Sequence, residues 1–331
     1  MKVLLTRLSS MGDLIHTLPA VTDLSRARPD IELHWFCEAG FADIARLHPF
    51  VKKVHTMRWR YWRKHLTAAE TWREMSALRQ GLKDERFDAV LDSQGLLKSA
   101  LFSKWAAAPV RGLDKNSARE PLASLFYRQK FSVQKGLDAV LRNRLLFAQA
   151  FDYELPQDLD FGVQVPEQGC LNNLNEPYYV VLHATSRDSK LWRLENWRGL
   201  LRRLHAYDAS AVYLPWGNEA EKERAEQIAA DLPFVYVCER LSLLQAADLL
   251  VRAQGVVGVD TGLLHLANAL DVPLVGVYTD TDPAKTGVQE TAWAKNIGGV
   301  AQMPSENEVY DLLLANQAAK RNAISARADK E

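Results

Sequence analysis

The segment 255–270 combines an apolar run, a polar turn and a helix-prone stretch. Residues 255–259 are typical of a buried strand in a parallel sheet. Asp260, Thr261 and Gly262 follow, and residues 263–270 then predict a helix. The first N–H groups of a helix have no intrahelical partner and carry the positive end of its dipole, so this turn suits a phosphate or diphosphate. The sequence therefore predicts a nucleotide-type ligand in the second half of the chain.

Two more loops of the second half lie between a predicted strand and a predicted helix. The loop 183–192 holds Thr185, Ser186 and Lys190, whose hydroxyl and ammonium groups can bind phosphate oxygens. If its strand neighbours strand 255–259, one diphosphate can contact both loops. In the loop 215–221, Glu221 can hold ribose hydroxyls or can belong to the charged first turn of a helix. For His265, helix packing is the commoner role.

In the first half, the loop 9–13 contains two serines, a glycine and an aspartate directly after the first predicted strand. Small residues such as Gly12 let the backbone approach a ligand closely. Asp13 can cap the first helix or, at a cleft, act as a general base, and spacing alone favours the cap. The pattern Gly-x-Gly-x-x-Gly is absent, so this loop is not a dinucleotide fingerprint.

Cationic side chains of the first half stand where they could meet an anion. Lys98 lies one turn into a helix after a polar turn that contains Gln94, although a solvated lysine fits the pattern equally well. Residues 58–65 alternate cations with aromatics, which indicates a solvated helix face with inward tryptophans, a nucleic-acid patch or a site for an anionic acceptor at a membrane surface. The candidate cations are Arg58, Arg60, Arg63, Lys64, Lys98, Arg119, Arg142 and Arg144.

The charge of the chain is balanced overall but divided between its halves. The formal net charge is zero over 331 residues, a length that suits two domains. Residues 1–165 carry 25 Lys and Arg against 19 Asp and Glu, and the remainder carries 16 against 22. This division of charge either arises by chance or indicates that the first half binds an anionic partner. A near-neutral chain lacks the broad positive field of nucleic-acid binders, so nucleic acid is not an expected partner.

Cysteine usage and hydropathy indicate the compartment. Cys37, Cys170 and Cys238 are odd in number and far apart, so neither a metal site nor a disulfide framework is expected. The first apolar run is too short for a signal peptide or a membrane span. The sequence predicts a cytoplasmic protein that can also sit on a membrane surface. Because it has no lipid-facing amphipathic helix of clear register, such contact is expected to be electrostatic.

Short apolar runs alternate with longer amphipathic ones, which predicts an α/β protein with two doubly wound domains and ligands at the carboxyl ends of the strands. The predicted strands are 3–5, 31–36, one near 54, 89–91, 178–183, 210–214, 234–237, 255–259 and 274–278. The predicted helices are 13–27, 68–85, 96–105, 195–207, 219–230, 243–252, 263–270 and 307–320. The domains are expected at 1–160 and 178–320, with a linker at 161–177, a frayed tail at 321–331 and a last helix that can pack back on the first domain.

With these motifs in place, the chain resembles the bacterial lipopolysaccharide heptosyltransferases, glycosyltransferase family 9, over nearly its whole length. The resemblance rests on the order and spacing of residues 9–13, 16–20, 92–99, 118–127, 182–192, 214–217 and 259–265. It is greater toward the branch that acts on Kdo than toward the heptosyltransferase II branch, which differs at the first loop and at the Asp-Thr-Gly loop. The family has the GT-B fold, so the resemblance implies two Rossmann-like domains facing each other across a cleft.

The resemblance implies inverting transfer of L-glycero-D-manno-heptose from ADP-heptose to a Kdo residue of Kdo-lipid A, with Asp13 as the general base. It implies no cofactor or metal, because positive groups can offset the charge of the leaving diphosphate, and a peripheral place on the cytoplasmic side of the inner membrane. The implied donor ligands are Thr185, Ser186, Lys190, Glu221, Leu241, Asp260, Thr261, Gly262 and His265. The implied acceptor ligands are Ser10, Gly12, Arg58, Arg60, Arg63, Lys64, Gln94, Lys98, Arg119, Arg142 and Arg144.

The chain departs from the family at two points. The hydroxyl of Ser186 stands where threonine is common, and residues 279–283 read Thr-Asp-Thr-Asp-Pro where Gly-Pro-Thr-Asp-Pro is frequent, which adds the negative charge of Asp280. Two alternatives stay open: a heptosyltransferase with another core acceptor, and a non-catalytic nucleotide-sugar-binding protein. Asp13 argues against the second, because binding alone needs no carboxylate at the position of attack.

Overall fold

The computed structural model describes residues 1–166, 171–172, 174–175, 177–185 and 187–328. The chain forms two compact units, Met1–Gln164 and Val165–Glu331. The division lies inside the segment 161–177, which composition predicts to be a linker. Residues before it are tied to the first unit, since Arg144 donates to the carbonyl oxygens of Pro156 and Asp158.

The first unit is a six-stranded parallel sheet with helices. Its strands are β1 (Lys2–Thr6), β2 (Glu32–Glu38), β3 (Val51–Met57), β4 (Ala89–Asp92), β5 (Val110–Leu113) and β6 (Gln129–Phe131). Its helices are α1 (Met11–Ile15), α2 (Leu18–Ala27), α3 (Ala42–Arg46), α4 (Trp59–Trp62), α5 (Ala69–Asp84), α6 (Leu97–Ser103) and α7 (Ala139–Phe151). The strand order β3-β2-β1-β4-β5-β6 puts the topological switch point, where ligands bind in such sheets, between β1 and β4.

The second unit repeats this design. Its strands are β7 (Tyr178–Leu182), β8 (Ala211–Leu214), β9 (Val235–Val237), β10 (Gly255–Val259), β11 (Leu274–Tyr278) and β12 (Ala294–Gly298). Its helices are α8 (Leu194–Asp208), α9 (Glu219–Ala229), α10 (Leu243–Val251), α11 (Gly262–Ala269), α12 (Pro283–Thr286) and α13 (Glu306–Ala328). The parallel order β12-β11-β10-β7-β8-β9 makes β7 and β10 neighbours at the switch point. This confirms the predicted α/β class and brings the two predicted diphosphate loops to one place.

Apolar periodicity explains why these segments form sheets and helices. All residues of β7 and β10 are buried, as expected for parallel strands covered on both faces. Helix α8 buries Trp197, Leu200, Leu201 and Leu204, which follow the i, i+3, i+4, i+7 spacing of one helix face. This face joins the core formed with strands β7, β8, β10 and β11. In the described part of the chain, no helix is both long enough and apolar enough to cross a bilayer.

Three predicted elements differ from the structure. The predicted helix 13–27 is two helices, α1 and α2, and Pro19 lies at the start of the second, where its missing N–H is harmless. The predicted helix 96–105 ends at Ser103 and continues as a 3-10 turn. Helix α13 continues to Ala328 where a frayed tail was expected from residue 321, and its alanine-rich end favours helix. It packs on α8, β10, β11 and β12.

Stability is expected to depend on pH through three buried histidines. Burial lowers the pKa of His48, His55 and His183 to about 4, whereas an unfolded histidine titrates near 6.5, so between about pH 6.5 and 4 the unfolded chain binds more protons. The free energy of unfolding should therefore hold its value above about pH 6.5 and fall toward pH 4, by at most about 3 kcal/mol per histidine. Urea unfolding at several pH values between about 6.5 and 4 measures how steeply the free energy of unfolding changes with pH, and His48→Gln should make this change smaller. A stability unchanged across this range would contradict the argument.

Candidate functional site

Asp13 lies in the first turn of α1, close after the carboxyl end of β1. The N-cap of α1 is Ser10, so the capping role considered for Asp13 is corrected: Asp13 is the third residue of the helix. Ser10 donates from its backbone N–H (2.8 Å) and from its Oγ–H (2.9 Å) to Oδ2 of Asp13, as in the reciprocal half of a capping box. These two bonds fix the carboxylate of Asp13.

The pKa of Asp13 lies below its ordinary value. Burial by itself would raise this pKa, but the positive charge of Arg7, the two hydrogen bonds from Ser10 and the charge of His16 together outweigh that effect. Asp13 is therefore a carboxylate at neutral pH. This is the protonation state that a general base requires.

Arg7 is a buried cation that the sequence analysis did not single out. Its guanidinium donates to the carbonyl oxygen of Ser93 (2.8 Å), to Oδ1 of Asn143 (3.2 Å) and to Oγ1 of Thr17 (3.3 Å). Burial lowers the pKa of Arg7, and the charge of Asp13 is the largest effect that opposes the shift. Arg7 thus joins the loops after β1 and β4 to α7, and it supplies positive charge to the carboxylate.

Gln94 connects the loop after β4 to the loop after β1. Its Oε1 accepts the N–H of Leu8 (2.9 Å), and its Nε2 donates to the carbonyl oxygen of Ser9 (3.2 Å). The backbone N–H of Gln94 is in turn held by the buried carboxylate of Asp92 (2.9 Å). Gln94, predicted as an acceptor ligand, thus has its amide bound to the backbone that leads to Asp13.

A cavity of about 480 Å³ opens in the first unit at these loops. Of the predicted residues, Asp13, Gln94, Arg119 and Arg142 line it. Arg7 and Lys135, which the sequence analysis did not single out, also line it. A single carboxylate among several cations is the composition expected of a site that binds an anionic molecule and takes a proton from it.

Arg142 and Arg144 lie two residues apart on α7 and have different environments. Arg142 donates to the carbonyl oxygen of Ser117 (2.7 Å), and within the described part of the chain its buried Nε has no hydrogen-bond partner. Arg144 is buried and binds both carboxylate oxygens of Asp23, at 2.7 and 3.2 Å. The predicted acceptor role of Arg144 is therefore corrected, because its charge is used inside the fold, whereas Arg142 has capacity for a ligand.

The remaining predicted cations lie around α4 and α6 and are not among the residues that line the cavity. Trp62 is buried and donates to Glu74 (2.6 Å), so this tryptophan packs inward as one interpretation predicted, whereas Tyr61 is 41% exposed. Lys98 is half-buried, and burial lowers its pKa while the charge of Glu38 opposes the shift. The exposed cations are Arg58, Arg60, Arg63 and Lys64.

In the second unit, three predicted donor residues meet at the switch point. Lys190 Nζ lies 2.7 Å from Oδ2 of Asp260, and the two side chains are only 15% and 12% exposed. Thr185 donates from Oγ1 to the carbonyl oxygen of Asp260 (2.7 Å). Ser186 lies outside the described residues. The pairing of β7 with β10 therefore brings a cation and a hydroxyl to the Asp-Thr-Gly turn.

The start of α11 completes this group. Thr261 is the N-cap with extended backbone, and no side-chain cap bond is described there, so the first N–H groups of the helix can bind a ligand. Gly262 is the first helical residue. Together with Lys190, these donors form a site for an anion. His265 is buried one turn further on in the same helix.

Glu221 and Leu241 lie on the next loops of the sheet. Glu221 is the third residue of α9, and its carboxylate accepts the N–H of Gly217 (2.7 Å) and the amide of Asn218 (2.8 Å). This is the helix-start role left open by the sequence, and a ribose would have to share this carboxylate. Leu241 is half-buried directly before the N-cap Ser242 of α10. Both residues lie after strands β8 and β9, which extend outward from the switch point.

The unusual segment 279–283 takes part in the same group. Thr279 donates to the carbonyl oxygen of Ser189 (3.0 Å), in the 3-10 turn that carries Lys190. Thr281 donates to Oδ2 of Asp260 (3.2 Å). Asp280 is exposed between them. The departure from the family pattern therefore adds one hydroxyl, that of Thr279, beside the hydroxyl of Thr281 that the pattern shares, and both hold the donor loops.

These features define an α/β glycosyltransferase of the GT-B type. Each unit carries a doubly wound parallel sheet. The first unit has the carboxylate of Asp13 in a cationic cavity, and the second unit has an anion site at the start of α11. The chain belongs to glycosyltransferase family 9 (heptosyltransferase), whose sequence profile matches residues 75–311. The family, the fold class and the enzyme class that the sequence predicted are thereby confirmed.

Relatives and solved structures match nearly the whole chain. Identity is 47% over 289 residues to lipopolysaccharide heptosyltransferase 1 of Pseudomonas aeruginosa, covering 87% of this chain and 81% of the relative. Identity is 43% over 312 residues to the protein of that name in Escherichia coli K12, covering 93% and 95%. The structure of E. coli heptosyltransferase WaaC with ADP matches with a TM-score of 0.88 at 39% identity, covering 96% and 100%. The structure of WaaC with ADP-2-deoxy-2-fluoro heptose matches with a TM-score of 0.81 at 37% identity. This match covers 99% of this chain and 100% of the WaaC chain.

Proposed function

We propose that the chain transfers L-glycero-D-manno-heptose from ADP-heptose to a Kdo residue of Kdo-lipid A in lipopolysaccharide inner-core synthesis. The observation that carries this proposal is the group at Asp260, where Lys190 and the start of α11 meet. The names of the relatives and the ADP and ADP-fluoroheptose of the two WaaC structures support a nucleotide-heptose donor at this group.

In this proposal the reaction is one displacement. Asp13 takes the proton of the acceptor hydroxyl, whose oxygen forms the new bond to the anomeric carbon while the bond from that carbon to the diphosphate oxygen breaks. A carboxylate with a lowered pKa suits this step, because the hydroxyl proton becomes acidic only as its oxygen bonds to carbon. Attack from the face opposite ADP inverts the anomeric carbon.

Donor binding follows the loops of the second unit. Lys190, Thr185 and the N–H groups of Thr261 and Gly262 would hold the diphosphate, with Ser186 beside them. Asp260 would contact the heptose, and Glu221, Leu241 and His265 would complete the donor site. Because the lysine and the helix start can offset the charge that develops on ADP, we propose that neither a metal nor a cofactor is required.

Acceptor binding belongs to the first unit in this proposal. Arg119, Arg142 and Lys135 in the cavity suit the carboxylate and phosphate groups of Kdo-lipid A. The exposed cations of α4 with Lys98, and the backbone at Ser10 and Gly12, would meet the rest of the acceptor. We place the enzyme on the cytoplasmic face of the inner membrane as a peripheral protein, because the donor is a nucleotide sugar and the acceptor is a lipid.

The proposal is tested by incubating the purified protein with ADP-heptose and Kdo-lipid A in EDTA and following the mass of the lipid. A gain of one heptose is the expected result, with no gain on an acceptor whose Kdo already carries that heptose. A gain only on the second acceptor would assign the chain to another core position. Donor binding without any transfer would favour the non-catalytic alternative.

Replacing the cavity cations is expected to affect the acceptor and not the donor. Arg119→Ala or Arg142→Ala should raise the acceptor KM about tenfold or more, because each removes a charge-assisted contact to an anionic group. The donor KM should stay within about threefold of the unmodified protein. Steady-state kinetics with each substrate varied measures this, and Arg79→Ala, an exposed arginine of the same unit, is the matched control. A rise in the donor KM alone would contradict the assignment of the cavity.

A further inference from the structure

Three leucines of the first unit are unusually exposed on two neighbouring elements. Leu101 on α6 is 51% exposed, and Leu122 and Leu125 are 59% and 73% exposed. The latter two lie on the 3-10 segment Pro121–Phe126, which packs against α6. Single exposed leucines are ordinary on a protein surface, but three on adjoining elements form a candidate contact surface. We call these three residues the leucine platform.

The fold holds the leucine platform outward. In a 3-10 helix residues i and i+3 lie on one side, so Leu122 and Leu125 share a face, while Ala123 and Ser124 between them are buried. The segment is attached to the start of α6, because the N–H of Leu97 donates to the carboxylate of Glu120 (2.6 Å). The exposure therefore belongs to a fixed element of the unit.

Cations surround the leucine platform. Lys98 on α6 and Lys104 in the 3-10 turn after it lie three residues before and after Leu101, and Arg119 and Arg128 flank the 3-10 segment 121–126. Lys104, Arg119 and Arg128 are exposed, and Lys98 is half-buried. Apolar side chains with a cationic rim fit the interface of a membrane that contains anionic lipids, where leucines enter the acyl boundary and cations remain at the headgroups.

The leucine platform also lies next to the acceptor cavity. Arg119, three residues before Leu122, lines that cavity, and the N–H of Glu120 donates to the carbonyl oxygen of Gly95 (3.0 Å) in the loop that follows β4. A lipid-linked acceptor must keep its acyl chains in the bilayer while its sugar reaches Asp13. The part of the unit beside the cavity is therefore the part that has to face the bilayer.

We propose that Leu101, Leu122 and Leu125 insert into an anionic membrane surface and so bring the acceptor cavity to its lipid, an inference that rests on the proposed function. The contact is then apolar as well as electrostatic, in contrast to the sequence-based expectation. Periodicity does not detect it, because the leucines belong to two short elements rather than to one amphipathic helix.

Vesicle binding tests the leucine platform. The full chain is sedimented with vesicles of phosphatidylethanolamine and phosphatidylglycerol, beside Leu122→Ser/Leu125→Ser and the control Val300→Ser/Ile324→Ser, which removes two exposed apolar side chains from the second unit. The first variant should bind about tenfold more weakly, and the control should bind as the unmodified protein does. Equal binding by the two variants and the unmodified chain would overturn the proposal. So would failure of the unmodified chain to bind these vesicles, an outcome that would favour a protein partner for this surface.

Transfer assays separate this proposal from the proposed function. With Kdo-lipid A in the vesicles, the leucine variant should lose about tenfold in kcat/KM, whereas with a deacylated, water-soluble acceptor it should match the unmodified protein. If the unmodified protein transfers heptose to neither acceptor, both the proposed function and the membrane-insertion proposal are wrong. If the variant equals the unmodified protein on both acceptors, the leucine platform alone is wrong. A loss on both acceptors would show damage to the cavity and would also overturn the platform.

Discussion

Asp13→Asn is expected to lower kcat by about a thousandfold or more while ADP-heptose binding stays nearly unchanged. The asparagine keeps an oxygen for the two hydrogen bonds from Ser10, so the start of α1 should be preserved. It has no anionic oxygen to take the acceptor proton. ADP release in the presence of acceptor gives kcat, and calorimetric titration with ADP-heptose gives the donor Kd.

A matched aspartate controls for the loss of charge. Asp84 is exposed at the end of α5 in the same unit, and Asp84→Asn should leave both kcat and the donor Kd unchanged. The Tm of Asp13→Asn should lie close to that of the unmodified protein. A similar Tm would exclude misfolding as the cause of the lower kcat. If Asp13→Asn kept its kcat within a few-fold, Asp13 would not be the base.

Lys190→Ala is expected to produce the second largest effect, a loss of about a hundredfold or more in kcat together with weaker donor binding. The substitution removes the cation that offsets the charge on the leaving diphosphate. It also leaves the largely buried carboxylate of Asp260 without its partner at 2.7 Å, and that carboxylate then repels the diphosphate. Steady-state kinetics and donor titration measure the two effects separately.

The ion pair permits a sharper test with a second substitution. In the Lys190→Ala background, Asp260→Asn should recover part of the donor affinity, because it removes the unpaired negative charge. Lys222→Ala, at a partly exposed lysine of α9 in the same unit, is the control and should leave the donor Kd unchanged. Unchanged donor affinity and kcat in Lys190→Ala would exclude Lys190 from the diphosphate site.

The sequence predicts best the elements that bury continuous apolar runs. Strands β10 and β11 have the bounds that periodicity assigns, because both are buried on both faces. Strands β5 and β6 were not predicted, since the first contains Arg111 and Gly112 and the second is the short, largely exposed run Gln129–Phe131 at the edge of the sheet. Strand β5 pairs with β4 and β6 pairs with β5, so these pairings extend the sheet where the local sequence pattern gives no signal.

The same contrast holds for the site residues. Lys190, Thr185 and Asp260 were predictable because all three follow apolar strands, and the topology then makes these strands neighbours. The pairing of Arg7 with Asn143 could not be predicted from the sequence, because the two residues are 136 positions apart in the chain.

Arg142 and Arg144 look alike in sequence. In the structure, positions two apart on a helix point in different directions, so one faces the cavity and the other faces Asp23. Only the fold distinguishes them.

The proposed mechanism is a single displacement assisted by Asp13. The measurement that tests it is the NMR spectrum of the lipid product made from ADP-heptose and Kdo-lipid A, which reports both the attachment of the heptose to Kdo and its anomeric configuration. We expect a heptosyl-Kdo linkage with the anomeric configuration opposite to that of the donor. Retention of the donor configuration would contradict it, because retention by two displacements requires a covalent glycosyl intermediate and a role for Asp13 other than the base.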